Sequence, residues 1–193
     1  KIWNSTNGGT TWSSTNVSAI SAGEFWASVA YSPTLNIFVA LGAFTSTRAM
    51  SSTNGTTWTA RTISTANQWQ SCNWVGGSIA KFIATGNTNS NQIAYSSNGT
   101  SWTTTTITGK SFGQRPLCYN ENTGEVVLIA TDGTIHKSTD GITWTLAGTA
   151  PTACTSIAYS PTLNLYAIKA STSTIYTTSD LSTFTTITGV SGY

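Results

Sequence analysis

Apolar residues come in short runs along the whole chain, and each run is closed by a turn-forming cluster. Val29-Ala30-Tyr31 is followed by Ser32-Pro33-Thr34-Leu35-Asn36 and then by Ile37-Phe38-Val39-Ala40. Two such runs around a Pro and Asn turn read as a pair of antiparallel strands. The same arrangement recurs from Ile157 to Ile168, and more loosely from Leu117 to Leu128 and from Cys72 to Ile83. Thr and Val suit pleated strands, and no segment holds apolar positions at a 3.6-residue period. The pattern predicts an all-β protein without helices.

A second repeat alternates with the first. Its copies are Ser5-Thr-Asn7-Gly-Gly9-Thr-Thr-Trp12, Ser52-Thr-Asn54-Gly55-Thr-Thr-Trp58, Ser96-Ser-Asn98-Gly99-Thr-Ser-Trp102 and Ser138-Thr-Asp140-Gly141-Ile-Thr-Trp144, with a decayed fifth from Thr178 to Phe184. The closing aromatics are 46, 44, 42 and 40 residues apart, a mean of about 43, which is the size of one four-stranded propeller blade. Asn-Gly and Asp-Gly favour tight hairpins because both tolerate positive φ. Each unit therefore reads as strands A to D, placed in the second unit near residues 26–31, 36–41, 47–52 and 57–63.

These spacings predict a single β-propeller of four-stranded antiparallel blades over residues 1–193. Residues 1–17 supply strands C and D of a half-blade, and complete blades follow at 18–63, 64–107, 108–149 and 150–193. Thr186 to Tyr193 resembles Thr108-Gly-Lys-Ser-Phe-Gly, which leads into a strand A, and Lys1-Ile2-Trp3 has neither an initiator Met nor a hydrophobic leader. A ring must close to hide its sheet edges. Either the half-blade takes strands A and B from elsewhere, or the chain is part of a longer polypeptide. The core is expected from the D-strand aromatics Trp12, Trp58, Trp102, Trp144 and Phe184, each packed on the next blade, and from Phe38, Phe82, Val127 and Tyr166 between blades.

Composition narrows the partners. Charged residues are 7% of the chain and the formal net charge is +2, which leaves no electrostatic footprint for nucleic acid. No apolar run reaches the roughly 18 residues of a membrane helix, so membrane insertion is not expected. Ser and Thr, about a third of the sequence, replace the missing charge, while eight Trp, seven Tyr and six Phe supply core area that disordered chains lack. Cys72, Cys118 and Cys154 form no Cys-x-x-Cys pair and read as small buried hydrophobes; no metal or cofactor is expected. His136 falls in the column of Trp3, Met50, Ala94 and Tyr176, a packing column. Asn4, Asn16, Asn54 and Asn98 fit the N-glycosylation pattern, but two of them coincide with the repeat turns.

The Ser-x-Asn/Asp-Gly-x-Thr-Trp copies resemble the Asp-box, or bacterial neuraminidase repeat, of sialidase-like β-propellers, and their shorter form is closest to propeller repeats of phage tail and surface proteins. The resemblance touches all five units. It implies that the repeat turns are structural, lying at the outer edge of each blade. For a sialidase-like glycosidase it would also require three arginines on the substrate carboxylate, a Tyr nucleophile with its Glu, and an Asp acid near the channel. The chain holds Arg48 at the start of a C strand, Arg61 on an outer D strand and Arg115 entering an A strand. Of the acids, Asp140 and Asp180 sit in repeat turns and Glu121 and Glu125 in an A–B hairpin, which leaves Glu24 and Asp132 for the ligand face.

The reading favoured is a non-enzymatic structural or binding propeller of a virion or extracellular surface assembly, such as a fibre, spike or decoration protein, whose partners are other subunits or a surface glycan. The alternative is a sialidase-like glycosidase or a free lectin. The D-to-A and B-to-C loops share one face and carry Glu24, Phe25, Trp26, Gln68, Trp69, Gln114, Arg115 and the polar run 87–92. Aromatic rings beside amide and guanidinium groups suit stacking on sugars, and Glu24, Trp26, Trp69, Gln114 and Arg115 are the expected ligand residues. Trp26 and Trp69 suit filling of the inner core equally well.

Overall fold

The computed structural model describes residues 1–20, 23–44, 46–87, 90–170 and 173–187, with the backbone alone for residues 46 and 113–116. These residues form eighteen strands and no helix. Strands β1 (Ile2–Asn4) and β2 (Ser13–Thr15) pair as the C and D strands of a half-blade. The first complete blade is β3 (Trp26–Ser32), β4 (Ile37–Gly42), β5 (Ser46–Ser52) and β6 (Thr59–Asn67). The second is β7 (Ser71–Val75), β8 (Lys81–Thr85), β9 (Gln92–Ser96) and β10 (Thr103–Thr106). The third is β11 (Phe112–Asn120), β12 (Glu125–Ala130), β13 (Thr134–Ser138) and β14 (Thr145–Thr149), and the fourth is β15 (Cys154–Ser160), β16 (Leu165–Ala170), β17 (Ile175–Thr178) and β18 (Thr185–Ile187). Within each blade the strands pair in chain order and antiparallel, and a parallel Arg115↔Ser156 pairing joins the last two A strands.

The repeat turns form as their side chains dictate. In the first complete blade Ser52 Oγ accepts the Gly55 amide at 2.8 Å, while Asn54 Oδ1 accepts those of Thr56 and Thr57 at 3.0 and 2.8 Å. The same bonds recur at Ser96/Asn98, Ser138/Asp140 and Thr178/Asp180, and at Ser5/Asn7 with one extra residue. The short polar side chain thus satisfies amides that the reversing backbone leaves open. The following residue is left-handed: Gly9, Gly55, Gly99 and Gly141 at φ 71–86°, and Leu181 at 63° in the decayed copy.

Period-two alternation gives each blade two apolar faces. Ile37, Val39, Leu41 and Ala49 of the first blade pack against Phe82, Ala84, Ala94 and Trp102 of the second. Ile79, Ile83 and Ile93 meet Val126, Leu128 and Trp144 of the third, and Val127, Ile129 and Ile135 meet Tyr166, Ile168 and Tyr176 of the fourth. The repeat Trp therefore packs on the preceding blade, not the next one: Trp102 sits with Ile37 and Val39, Trp144 with Ile79 and Ile83. Direction explains the one failure among the expected core aromatics. Trp12 is exposed, because no described strands precede the half-blade on its side. Phe38, Phe82 and Tyr166 lie opposite the turn Ser or Thr, and the residue at that place in the third blade is Val126; Val127, one residue on, faces the fourth blade.

Candidate functional site

The four A strands converge on a cavity of about 530 Å³ lined by Ala27 to Val29, Gln70 to Asn73, Leu117, Ser156 and Ile157. Strands β3 and β7 are tied there by Cys72 N donating to Ser28 Oγ at 3.0 Å. The lining mixes hydroxyl and amide groups with Val29, Leu117 and Ile157, and among the described residues that line it the titratable side chain is Cys72. Burial pushes that thiol far above its ordinary range, and Cys118 is pushed up to about 12 by the same cause. Both stay protonated at neutral pH, so neither is poised as a nucleophile.

On the loop face the D-to-A segments entering the first three blades are clasped to the B-to-C loops of those blades. In the first blade the Glu24 carboxylate folds over Gly42, accepts the Phe44 amide at 3.1 Å and pairs with Arg48 at 3.5 Å. In the second, Asn67 lies over Gly86, donates to Ser90 Oγ at 2.6 Å and accepts the Gln68 amide at 2.8 Å. In the third, Lys110 Nζ reaches Asp132 at 2.7 Å. Partial burial pulls the Asp132 pKa up, but the Lys110 and Thr134 hydrogen bonds outweigh it and hold the carboxyl down at about 2. Glu24 and Asp132, the two acids expected at the ligand face, are thus committed to fixing loops.

The expected ligand residues separate accordingly. Glu24 has a buried side chain. Trp69 is fully buried among Ile63, Cys72 and Phe82, which removes its ring from any sugar and makes it core; Trp26 packs with Val17, Ala40 and Met50 under the half-blade. Gln114 and Arg115 lie on β11, and their side chains fall outside the described residues. Burial lowers the pKa of His136, with Lys110 acting the same way against Asp132, so the imidazole is a neutral member of the packed sheet.

The structure does bring together Gln68 and the polar run after β8. Ala66, Asn67 and Gln68 face Asn87, Ser90, Asn91 and Gln92 across a cleft of about 280 Å³. Asn87 Nδ2 donates to Gln68 Oε1 across it. Amides and hydroxyls supply paired donors and acceptors without charge, as hydroxyl-rich neutral ligands require. Asn67 was not singled out by sequence; Gln68 and the run 87–92, which includes Ser90, were, but their contact across some twenty residues is set by the loop clasp.

The profile of a family described as the DUF6242 beta propeller domain matches residues 64–191. No curated protein matches. Among solved structures, a catalytically inactive virginiamycin B lyase from Staphylococcus aureus with Quinupristin superposes with a TM-score of 0.70 at 12% identity, over 88% of this chain and 58% of the lyase. A GH74 enzyme from Niastella koreensis gives 0.64 at 20% identity, over 95% and 28%. YCF48 from Cyanidioschyzon merolae gives 0.62 at 14% identity, over 96% and 63%. The chain spans less than two thirds of each, and these likenesses establish the propeller fold alone.

Proposed function

Because the chain belongs to the DUF6242 beta propeller domain family, we propose that it is a non-enzymatic binding propeller of an extracellular or virion surface assembly that takes a neutral glycan on its loop face. The observation carrying this reading is the cleft between Gln68 and Asn87, lined by amides and hydroxyls. Hydrogen bonds and ion pairs tie down the D-to-A segments entering the first three blades, and a preorganised site loses less entropy on binding. The sparse charge of the chain suits a protein that assembles with other subunits, because few surface charges oppose association.

Glycosidase chemistry would need a positioned acid and base about a sugar. Five of the six side-chain carboxylates have other partners: Glu24 with Phe44 and Arg48, Asp132 with Lys110, Glu125 with Lys137 at 2.8 Å, and Asp140 and Asp180 with turn amides; the sixth, Glu121, lies exposed in the β11–β12 turn. The lyase and hydrolase among the similar folds do not transfer their reactions at such identities. Calorimetric titration with neutral oligosaccharides tests the proposal. Saturable binding that falls at least tenfold in Gln68→Ala and Asn87→Ala is expected. Absence of binding across neutral glycans, or binding indifferent to both substitutions, refutes it, and release of reducing sugar would restore the hydrolase alternative.

A further inference from the structure

The half-blade leaves a groove of about 450 Å³ against the first complete blade, with Ile2, Trp12, Val29, Tyr31, Phe38 and Trp58 on its walls. Repetition shows what such a wall normally meets. Val29 corresponds to Cys72, Leu117 and Ile157, and Tyr31 to Trp74, Tyr119 and Tyr159. In the later blades these residues lie under the A and B strands of the blade before. Cys72 and Ile157 are each 5% exposed, whereas Val29 is 57% and Tyr31 40% exposed. The Tyr31 and Phe38 ring centroids lie 4.5 Å apart, as those of Trp74 and Phe82 lie 4.9 Å and those of Tyr159 and Tyr166 4.7 Å apart; among the described residues no A–B hairpin lies over the first pair.

We propose that this groove is the acceptor for a β-hairpin of the propeller's own A–B type, supplied by the same polypeptide, whose second strand pairs antiparallel with Ile2–Asn4. Register follows from the complete blades, where the strand-B residue opposite the turn Ser or Thr is Phe38, Phe82, Val126 or Tyr166. The incoming strand places a bulky apolar residue opposite Ser5, beside Trp12. Its next residues toward Tyr31 are aliphatic, as Val39 and Leu41, Ile83, and Val127 and Ile129 are at their own interfaces. Its turn presents an amide to Tyr31. In the last blade Tyr159 Oη donates to Asn164 at 2.7 Å and accepts Asn122 Nδ2 of the preceding turn at 2.7 Å; Tyr31 Oη already donates to Asn36 at 2.8 Å. A second copy of this chain is a poor donor, because each of its four A–B hairpins is paired to its own C strand.

The test places a copy of residues 24–47 directly before Lys1, since Lys1 stands where Arg48 stands in the first blade. A control carries the same copy with its Val39→Ser and Leu41→Ser changes. Hydrogen exchange of the Ile2–Asn4 amides is read together with mass by light scattering. Protection rising about tenfold or more in a monomer, and in the apolar copy alone, is the expected result. Unchanged exchange, or equal protection by both copies, overturns the proposal. So does a bare chain that is already a protected dimer and is dissociated by Val29→Glu, since a second copy would then fill the groove.

Discussion

Trp12 and Trp102 occupy the same place in the repeat, so truncating each to Ala separates what the motif provides from what the preceding blade provides. Trp102 is 7% exposed and packs on Phe82, with ring centroids 6.3 Å apart, and on the Ile37 and Val39 face of the first blade. A buried Trp removes about 200 Å² from water, which at about 25 cal/mol/Å² gives an upper value near 5 kcal/mol. Comparable truncations cost about 3–5 kcal/mol. Trp12 is 59% exposed, so the same bookkeeping leaves about 2 kcal/mol, or about 1 kcal/mol against a compact unfolded chain. Its indole N–H bond to Gly9 O at 2.9 Å is exposed and adds little. Urea titration followed by circular dichroism should therefore show Trp102→Ala less stable than Trp12→Ala by about 3 kcal/mol, with a melting point lower by about 10 °C. A loss below about 1 kcal/mol at Trp102, or equal losses at the two positions, would refute the assignment of the repeat Trp to the preceding interface.

Other positions test other links. A Cβ on Gly148 would lie 1.9 Å from the Leu181 carbonyl oxygen of the adjacent blade, so Gly148→Ala should cost about 3 kcal/mol or more, measured by thermal melting. Ala80 holds φ 44° before a B strand, where Asn36, Gly124 and Asn164 hold 50–71°; Ala80→Asn should gain about 0.5–1 kcal/mol, because Asn tolerates the left-handed region better. Burial pulls the Asp140 pKa up, but the hydrogen bonds from the Thr143 and Ile142 amides and from Ser138 together outweigh it and hold it at about 2. Its contribution is complete above the unfolded pKa near 4 and is lost as pH falls toward 2. Asp140→Asn should flatten the acid limb of a stability titration in that window and leave the fold intact, since Asn54 and Asn98 build the same turn.

Most of the architecture was legible because its causes are local. Ser, Asn and Gly in the repeat turn satisfy one another within five residues, and alternation along β4, β8, β12 and β16 states two buried faces before any partner is known. The site was less legible. Glu24 and Trp69 look like ligand groups in a list of loop residues, yet one fixes the Phe44 loop and the other fills the core. The amide cleft needed Asn87 and Gln68 to meet, nineteen positions apart, through a loop clasp that no local pattern announces.

The amino-acid order alone determined the blade as a unit: four strands, their turns, and aromatic and aliphatic residues for both faces. Tertiary structure decided which face meets what. The same Ser and Asn turn bonds leave Trp102 buried and Trp12 open, because burial belongs to the neighbouring blade and not to the residue. The same physics leaves Val29 and Tyr31 uncovered while Ile157 and Tyr159 lie beneath strands. Hydrogen bonds inside a turn need only adjacent residues, whereas apolar burial needs a second surface that a single repeat cannot provide.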